Sequence, residues 1–218
     1  MTINLWHCHN SRSLRVLWAL EEMQLDYQVH SLPFPPRFKD ESFLEVNSLG
    51  TIPFLKDNNC ELTESTAMLL YLAEKYQVNK LRLTINDSEY GDFLNWLFQS
   101  DATFTFPLTL VLRYSQFESI ERQQPQVVED YSIWFMARLK RLNEHLLTHK
   151  YLCGDKFTIA DIAVGYSLYL GKMLGLDQYF KPQTAKYLTR LMARPAFIKA
   201  NSIGKNIANY EISEISDD

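Results

Sequence analysis

The stretch that most restricts how this chain can fold is 49–76, LGTIPFLKDNNCELTESTAMLLYLAEKY. Ile52-Pro53-Phe54-Leu55 is an apolar run short enough for a buried strand, with its proline at the edge, where a missing N–H costs no ladder bond. Asp57-Asn58-Asn59 is a turn cluster, because Asn and Asp tolerate left-handed backbone and bond their own main chain. Cys60 to Leu62 can return as the second arm of a hairpin. The side chains of Thr63-Glu64-Ser65 suit a helix cap, and Ala67, Leu70 and Leu72 or Ala73 then recur at helical spacing. Strand, turn, strand and helix follow one another with no slack between them.

Two features of this stretch have a functional reading beside their structural one. In the cis form, Pro53 would turn the carbonyl and amide of Ile52 outward to pair with an extended peptide ligand. Glu64-Ser65 stands at a helix start, where free N–H groups hold a carboxylate and Glu64 offers its charge to an ammonium. A ligand with both an α-amino and an α-carboxylate group would satisfy the pair. Singly, Pro53 is an edge proline and Ser65 an N-cap.

The rest of the chain supplies the context. Thr2 to Cys8 reads as a strand, His9 to Ser13 as a polar loop, and Leu14 to Met23 as a helix with Glu21-Glu22 on its exposed side and Ser11 or Ser13 as its N-cap. Tyr27 to Leu32 is a second strand, parallel to the first because a helix crosses over between them. Pro33, Pro35 and Pro36 enforce a loop, and 38–46 has room for a short helix. The order βαβαββα is the thioredoxin-like arrangement and ends near Tyr76. Residues 77–86 read as a linker, and 87–218 as an all-helical domain. In it, Asp87-Ser88 caps a long helix through Tyr114 kinked at Pro107, Pro125 opens another helix to His149, and the acidic tail after Ser202 is loosely held. Thr158-Ile159-Ala160-Asp161 is a capping box, with Phe157 and Ile162 as its hydrophobic staple.

Together, Ile52-Pro53-Phe54-Leu55, Glu64-Ser65 and the Thr158–Asp161 box resemble cytosolic glutathione S-transferases of bacterial type, over nearly the whole chain. The resemblance implies that glutathione is the co-substrate and is activated as a thiolate for conjugation to a hydrophobic electrophile. It also implies a homodimer. Ile52 would pair its main chain with the cysteinyl unit beside Pro53, and Glu64 and Ser65 would hold the γ-glutamyl end. The family's sulfur-activating residue follows the first strand; counting back from LRVLWALEE, that position falls on Asn10, with Ser11 next to it. A hydroxyl or amide donor there lowers the thiol pKa, and Arg12 could add positive charge. Ser11 is the leading candidate and Asn10 the second, against the plainer role of Ser11 as an N-cap. The electrophile pocket is expected beside the kinked helix, with Asp101, Phe104, Phe106 and Tyr114 as candidates that equally suit helix packing. A glutathione-dependent isomerase or dehalogenase, and a non-catalytic ligand-binding regulator, stand as alternatives on the same fold.

Bulk properties agree with that class. A formal charge of −4 gives no electrostatic reason to expect nucleic acid or an acidic membrane, and the apolar runs are too short to span a bilayer. Cys8, Cys60 and Cys153 are odd in number and lack CxxC spacing, which favours a reducing compartment such as the cytoplasm. His7-Cys8-His9 raises a metal site, but strand alternation would split its ligands between two faces and no second cluster completes it, so no metal is expected.

Overall fold

The computed structural model describes residues 2–77 and 81–205. The chain divides into two compact units, whose described parts lie within Met1–Arg82 plus Met192–Tyr210, and within Leu83–Leu191.

In the first unit, β1 (Ile3–His7) pairs in parallel with β2 (Tyr27–Ser31), and antiparallel with β3 (Phe54–Asp57), which pairs antiparallel with β4 (Cys60–Leu62). The sheet order is β2-β1-β3-β4, with Leu5 opposite both Val29 and Leu55. Alternation sets the faces: Ile3, Leu5 and His7 are buried, while Asn4 and Trp6 keep partial exposure. Between β1 and β2 runs α1 (Ser13–Met23), and after β4 comes α4 (Ser65–Tyr76). The segment expected to hold one short helix holds two turns, α2 (Pro36–Lys39) and α3 (Phe43–Val46).

Residues 14–20 of α1 are all buried, because α1 packs against α4 on one side and against α10 (Pro195–Ser202) on another. Glu21 and Glu22, expected on an open face, are half-buried. Glu22 accepts from Trp18 Nε1 (2.9 Å) and from both Nε and Nη2 of Arg194, while Lys199 pairs with Glu21 at 2.8 Å. This two-pronged guanidinium contact, of the strong charge-assisted kind, ties α10 to α1.

At the sheet's far end Asp57, 2 % exposed, gathers Tyr71 Oη (3.1 Å), Tyr76 Oη (2.8 Å) and Lys75 Nζ (2.7 Å) from α4. Burial alone would raise its carboxyl. The three donors outweigh that and hold it below the ordinary value.

The second unit is helical: α5 (Tyr90–Gln99), α6 (Phe106–Leu112), α7 (Pro125–His145), α8 (Ile159–Met173) and α9 (Pro182–Met192). The expected long helix through Tyr114 differs in two ways. Asp87 accepts from the N–H and hydroxyl of Thr84, each at 2.8 Å, closing a turn; α5 starts only at Tyr90. The winding also widens to π over Ser100–Thr105 and again over Arg113–Phe117. A proline ring cannot share space with the carbonyl four residues back, and the wide turn ahead of Pro107 relieves that conflict. The Ser100 carbonyl accepts from Thr105 Oγ1 (2.8 Å) and Ser167 Oγ (3.0 Å).

Pro125 sits in the first turn of α7, and Thr158 with Asp161 forms the capping box of α8, both at their sequence-predicted places. Asp161 is fully buried and accepts from Thr158 N (2.8 Å), Leu152 N (3.0 Å) and Tyr187 Oη (2.7 Å). Asp161→Ala would strand these buried donors and is expected to cost about 3 kcal/mol or more, read as a lower urea midpoint at unchanged slope.

Candidate functional site

The candidate residues of the first unit collect at two helix starts. At the start of α4, Glu64 occupies the N-cap in extended backbone (φ −98°, ψ 121°) and is exposed, while its carbonyl accepts from Met68 N at 2.9 Å. Ser65 is 2 % exposed, and its hydroxyl does not cap the helix. It accepts from Arg15 Nη1 at 2.9 Å, a buried contact from α1. That corrects the expectation of a hydroxyl cap: a fully buried guanidinium needs acceptors more than the helix end needs one more. With one of its lone pairs taken by Arg15, the Ser65 hydroxyl still has its own hydrogen to donate, and Arg15 puts positive charge behind a helix end whose first N–H groups have no intrahelical partner. The peptide Ile52–Pro53 is cis; Pro53 is buried and Ile52 half-buried at the entry to β3.

At the start of α1, Asn10 adopts left-handed backbone (φ 62°). The N-cap is Arg12, in helical backbone and without a side-chain cap, so neither Ser11 nor Ser13 fills the position expected of it. Ser11 N donates to the Cys8 carbonyl (3.2 Å), and the Ser11 hydroxyl lies 2.7 Å from that of Ser13, which lies 2.7 Å from His7 Nδ1. Asn10, Ser11 and Arg12 are each half-buried. Cys8 is fully buried, and burial pushes its thiol up to about 12, which leaves no thiolate for chemistry. His7 and His9 fall on one side, as strand alternation predicts: His7 Nε2 (3.3 Å) and His9 Nδ1 (3.2 Å) both approach the Ile203 carbonyl.

In the helical unit Asp101 and Phe104 fall in the first π segment, Asp101 half-buried and Phe104 fully buried; Phe106, 49 % exposed, opens α6. Tyr114, in the second π segment, lines an open cavity of about 330 Å³ with Gln123, Val128, Glu129 and Ser132. Asp101, Phe104 and Phe106 do not line it. Of the tail from Ser202, expected to be loosely held, 206–218 lie outside the described residues, as do 78–80 of the expected linker, while Ser202 ends α10 and the Ile203 carbonyl meets His7 and His9; Leu81 and Leu83 are buried.

Sequence reading missed Arg15 and the roles of His7 and Ser13. An arginine within an otherwise apolar helix face was the available signal for the first. Nothing local marks the others: Ser13 serves His7, and the Ile203 carbonyl that His7 meets lies 196 residues away.

The family models for the N-terminal and C-terminal domains of glutathione S-transferase match residues 10–75 and 134–195. Glutathione S-transferase 2 of Schizosaccharomyces pombe is 28% identical over 212 residues, covering 87% of this chain and 90% of its own. Glutathione S-transferase GstB of Escherichia coli K12 is 26% identical over 202 residues, covering 90% and 96%. Among solved structures, a glutathione transferase family member of Pseudomonas fluorescens with two glutathione bound is 26% identical, with a TM-score of 0.78 over 92% of each chain. A Phanerochaete chrysosporium glutathione transferase in complex with oxidized glutathione is 25% identical, with a TM-score of 0.80 over 95% of this chain and 98% of its own. The chain belongs to the glutathione S-transferase family.

One consequence of the site is independent of ligand. Burial depresses His7 from 6.5 to about 4, outweighing its bond to Ile203, so the fold binds the neutral ring. The unfolded chain then takes up a proton that the folded one refuses. The stability this group contributes is complete above pH 6.5 and lost as pH falls to about 4. Between those values His7→Phe is expected to flatten the fall in unfolding free energy by about 2–3 kcal/mol, measured by urea denaturation across pH.

Proposed function

We propose that this protein is a cytoplasmic, homodimeric glutathione transferase that holds glutathione as its thiolate for attack on a hydrophobic electrophile. The observation that carries the reading is the pairing of two helix starts in one unit: Glu64-Ser65 backed by the buried Arg15, and Asn10-Ser11 ahead of α1. Glu64 takes the γ-glutamyl ammonium, and the Ser65 hydroxyl with the first N–H groups of α4 takes its carboxylate. The main chain of Ile52 pairs with the cysteinyl unit, Pro53 shaping that edge. The sulfur is left facing residues 10–12, where an Asn10 amide or Ser11 hydroxyl donates to the charged form and the Arg12 guanidinium adds positive potential. Each lowers the thiol pKa and so raises the fraction of nucleophile at neutral pH. An electrophile that meets the thiolate forms a carbon–sulfur bond to it and expels its leaving group, or takes the electron pair by addition. Isomerisation or dehalogenation would use the same thiolate. Asp101, Phe104 and Tyr114 are the residues proposed for the electrophile side.

A non-catalytic glutathione- or ligand-binding regulator is favoured by one observation, an asparagine where the family more often has a hydroxyl or thiol. A pH titration of bound glutathione by thiolate absorbance separates the two. A thiol ionising well below the free peptide supports the transferase, and saturable binding with an unshifted thiol supports the regulator. Glu64→Ala and Ser65→Ala are expected to weaken retention on immobilised glutathione about tenfold or more, the worth of one charge-assisted bond. Ser11→Ala and Asn10→Ala, measured separately, assign the donor. If neither raises the bound thiol's pKa, the sulfur sits elsewhere.

A further inference from the structure

A chain of hydrogen bonds runs inward from Ser11 and ends on the backbone of residue 203. Ser11 Oγ lies 2.7 Å from Ser13 Oγ, Ser13 Oγ 2.7 Å from His7 Nδ1, and His7 Nε2 3.3 Å from the Ile203 carbonyl oxygen. The last link fixes the direction of the others. A carbonyl only accepts, so Nε2 carries the ring proton. His7 is 1 % exposed and burial keeps the ring neutral, so there is one proton to place and Nδ1 has none. Nδ1 must accept, and the hydroxyl at 2.7 Å is its donor. The Cys8 carbonyl, a competing acceptor for Ser13 at 3.2 Å, is the more distant. Ser13 has a single hydroxyl hydrogen, now spent on His7, so between the two serines Ser11 is the donor. Ser11 therefore rests with its O–H pointing inward and its lone pairs turned out, one of them shared with Ser13 N at 3.3 Å.

The anchor is well held. Ile203 also receives His9 Nδ1 at 3.2 Å, and Gly204 follows at φ +75°, where a Cβ would stand 3.1 Å from His7 Nε2. A side chain at 204 would crowd the ring nitrogen that sets the whole chain.

We infer that His7 is a positioning residue for the sulfur site: by accepting from Ser13 it makes Ser11 present an acceptor, not a donor, to an incoming thiol. The inference rests on the reading of residues 10–11 as the sulfur position. A neutral thiol would donate its S–H to Ser11 Oγ. When the S–H bond breaks and its proton leaves to solvent, Ser11 must give up Ser13 and swing its own hydrogen to the thiolate, so ionisation carries the cost of that inner bond. His7 thus tempers Ser11 as an activator.

The test uses the full chain and glutathione itself. Ser13→Ala, which removes the inner acceptor, and His7→Phe, which removes Nδ1 while filling its space, are each expected to lower the bound thiol's pKa by about one unit, the worth of one hydrogen bond to a charged group. Ser11→Ala added to Ser13→Ala should abolish that fall, and His7→Asn, which offers an amide oxygen near the Nδ1 position, should restore the wild-type value. A rise or no change with Ser13→Ala overturns the inference, and this variant stands even if His7→Phe fails to fold. Nitrogen-15 NMR of the ligand-free protein gives an independent check: the Nε2–H tautomer of His7 at neutral pH is expected, and an Nδ1–H tautomer or an imidazolium overturns the role. If the tautomer is as expected but the wild type does not hold glutathione, the glutathione reading fails, and this role falls with it for that reason alone.

Discussion

The constraint on which the first unit depends is the guanidinium of Arg15, taken wholly out of water within the otherwise apolar run 14–20 of α1. A buried cation is tolerable only where acceptors converge on it, and one of those acceptors is the hydroxyl of Ser65, half a domain away in sequence. The demand therefore reaches outward. It joins α1 to α4, it takes Ser65 away from capping, and it puts positive charge behind the start of α4, where Glu64 is exposed.

The loop ahead of α1 is organised by the same logic with neutral groups. His7, Ser13 and Ser11 are too buried to be satisfied by water alone, so each must find a protein partner, and the partners form a line with a definite direction. Asn10 stands just outside that line in left-handed backbone, a conformation asparagine reaches at little cost. Local geometry thus gives two neighbouring residues different hydrogen-bonding characters, although composition alone would make them near equivalents.

What could be read from sequence follows the reach of each interaction. The capping box at Thr158–Asp161, the proline opening α7, the hairpin and the crossover unit depend on residues a few positions apart or on a repeating apolar period, and they lie where that reading puts them. Pro107 announced an interruption, but not that the backbone would answer with a widened turn whose Ser100 carbonyl is met by Ser167, 67 residues away. Glu21 and Glu22 looked like a solvated face because nothing nearby says that Arg194 and Lys199 return to meet them. The loop at 9–12 was legible, since a loop before a helix is a local pattern. Which way their hydroxyls point is decided by a carbonyl at the other end of the chain.

That return of the chain's end has a bearing on how the protein is made. The first compact unit is not contiguous: α10 and Ile203 belong to it, while the helical unit is spliced into the middle of its sequence. A ribosome delivers the sheet early but withholds the Glu22 clamp and the carbonyl that meets His7 until Arg194 and Ile203 have emerged. The helical unit can close while its predecessor is still missing a wall, so the order of synthesis and the order of completion are reversed.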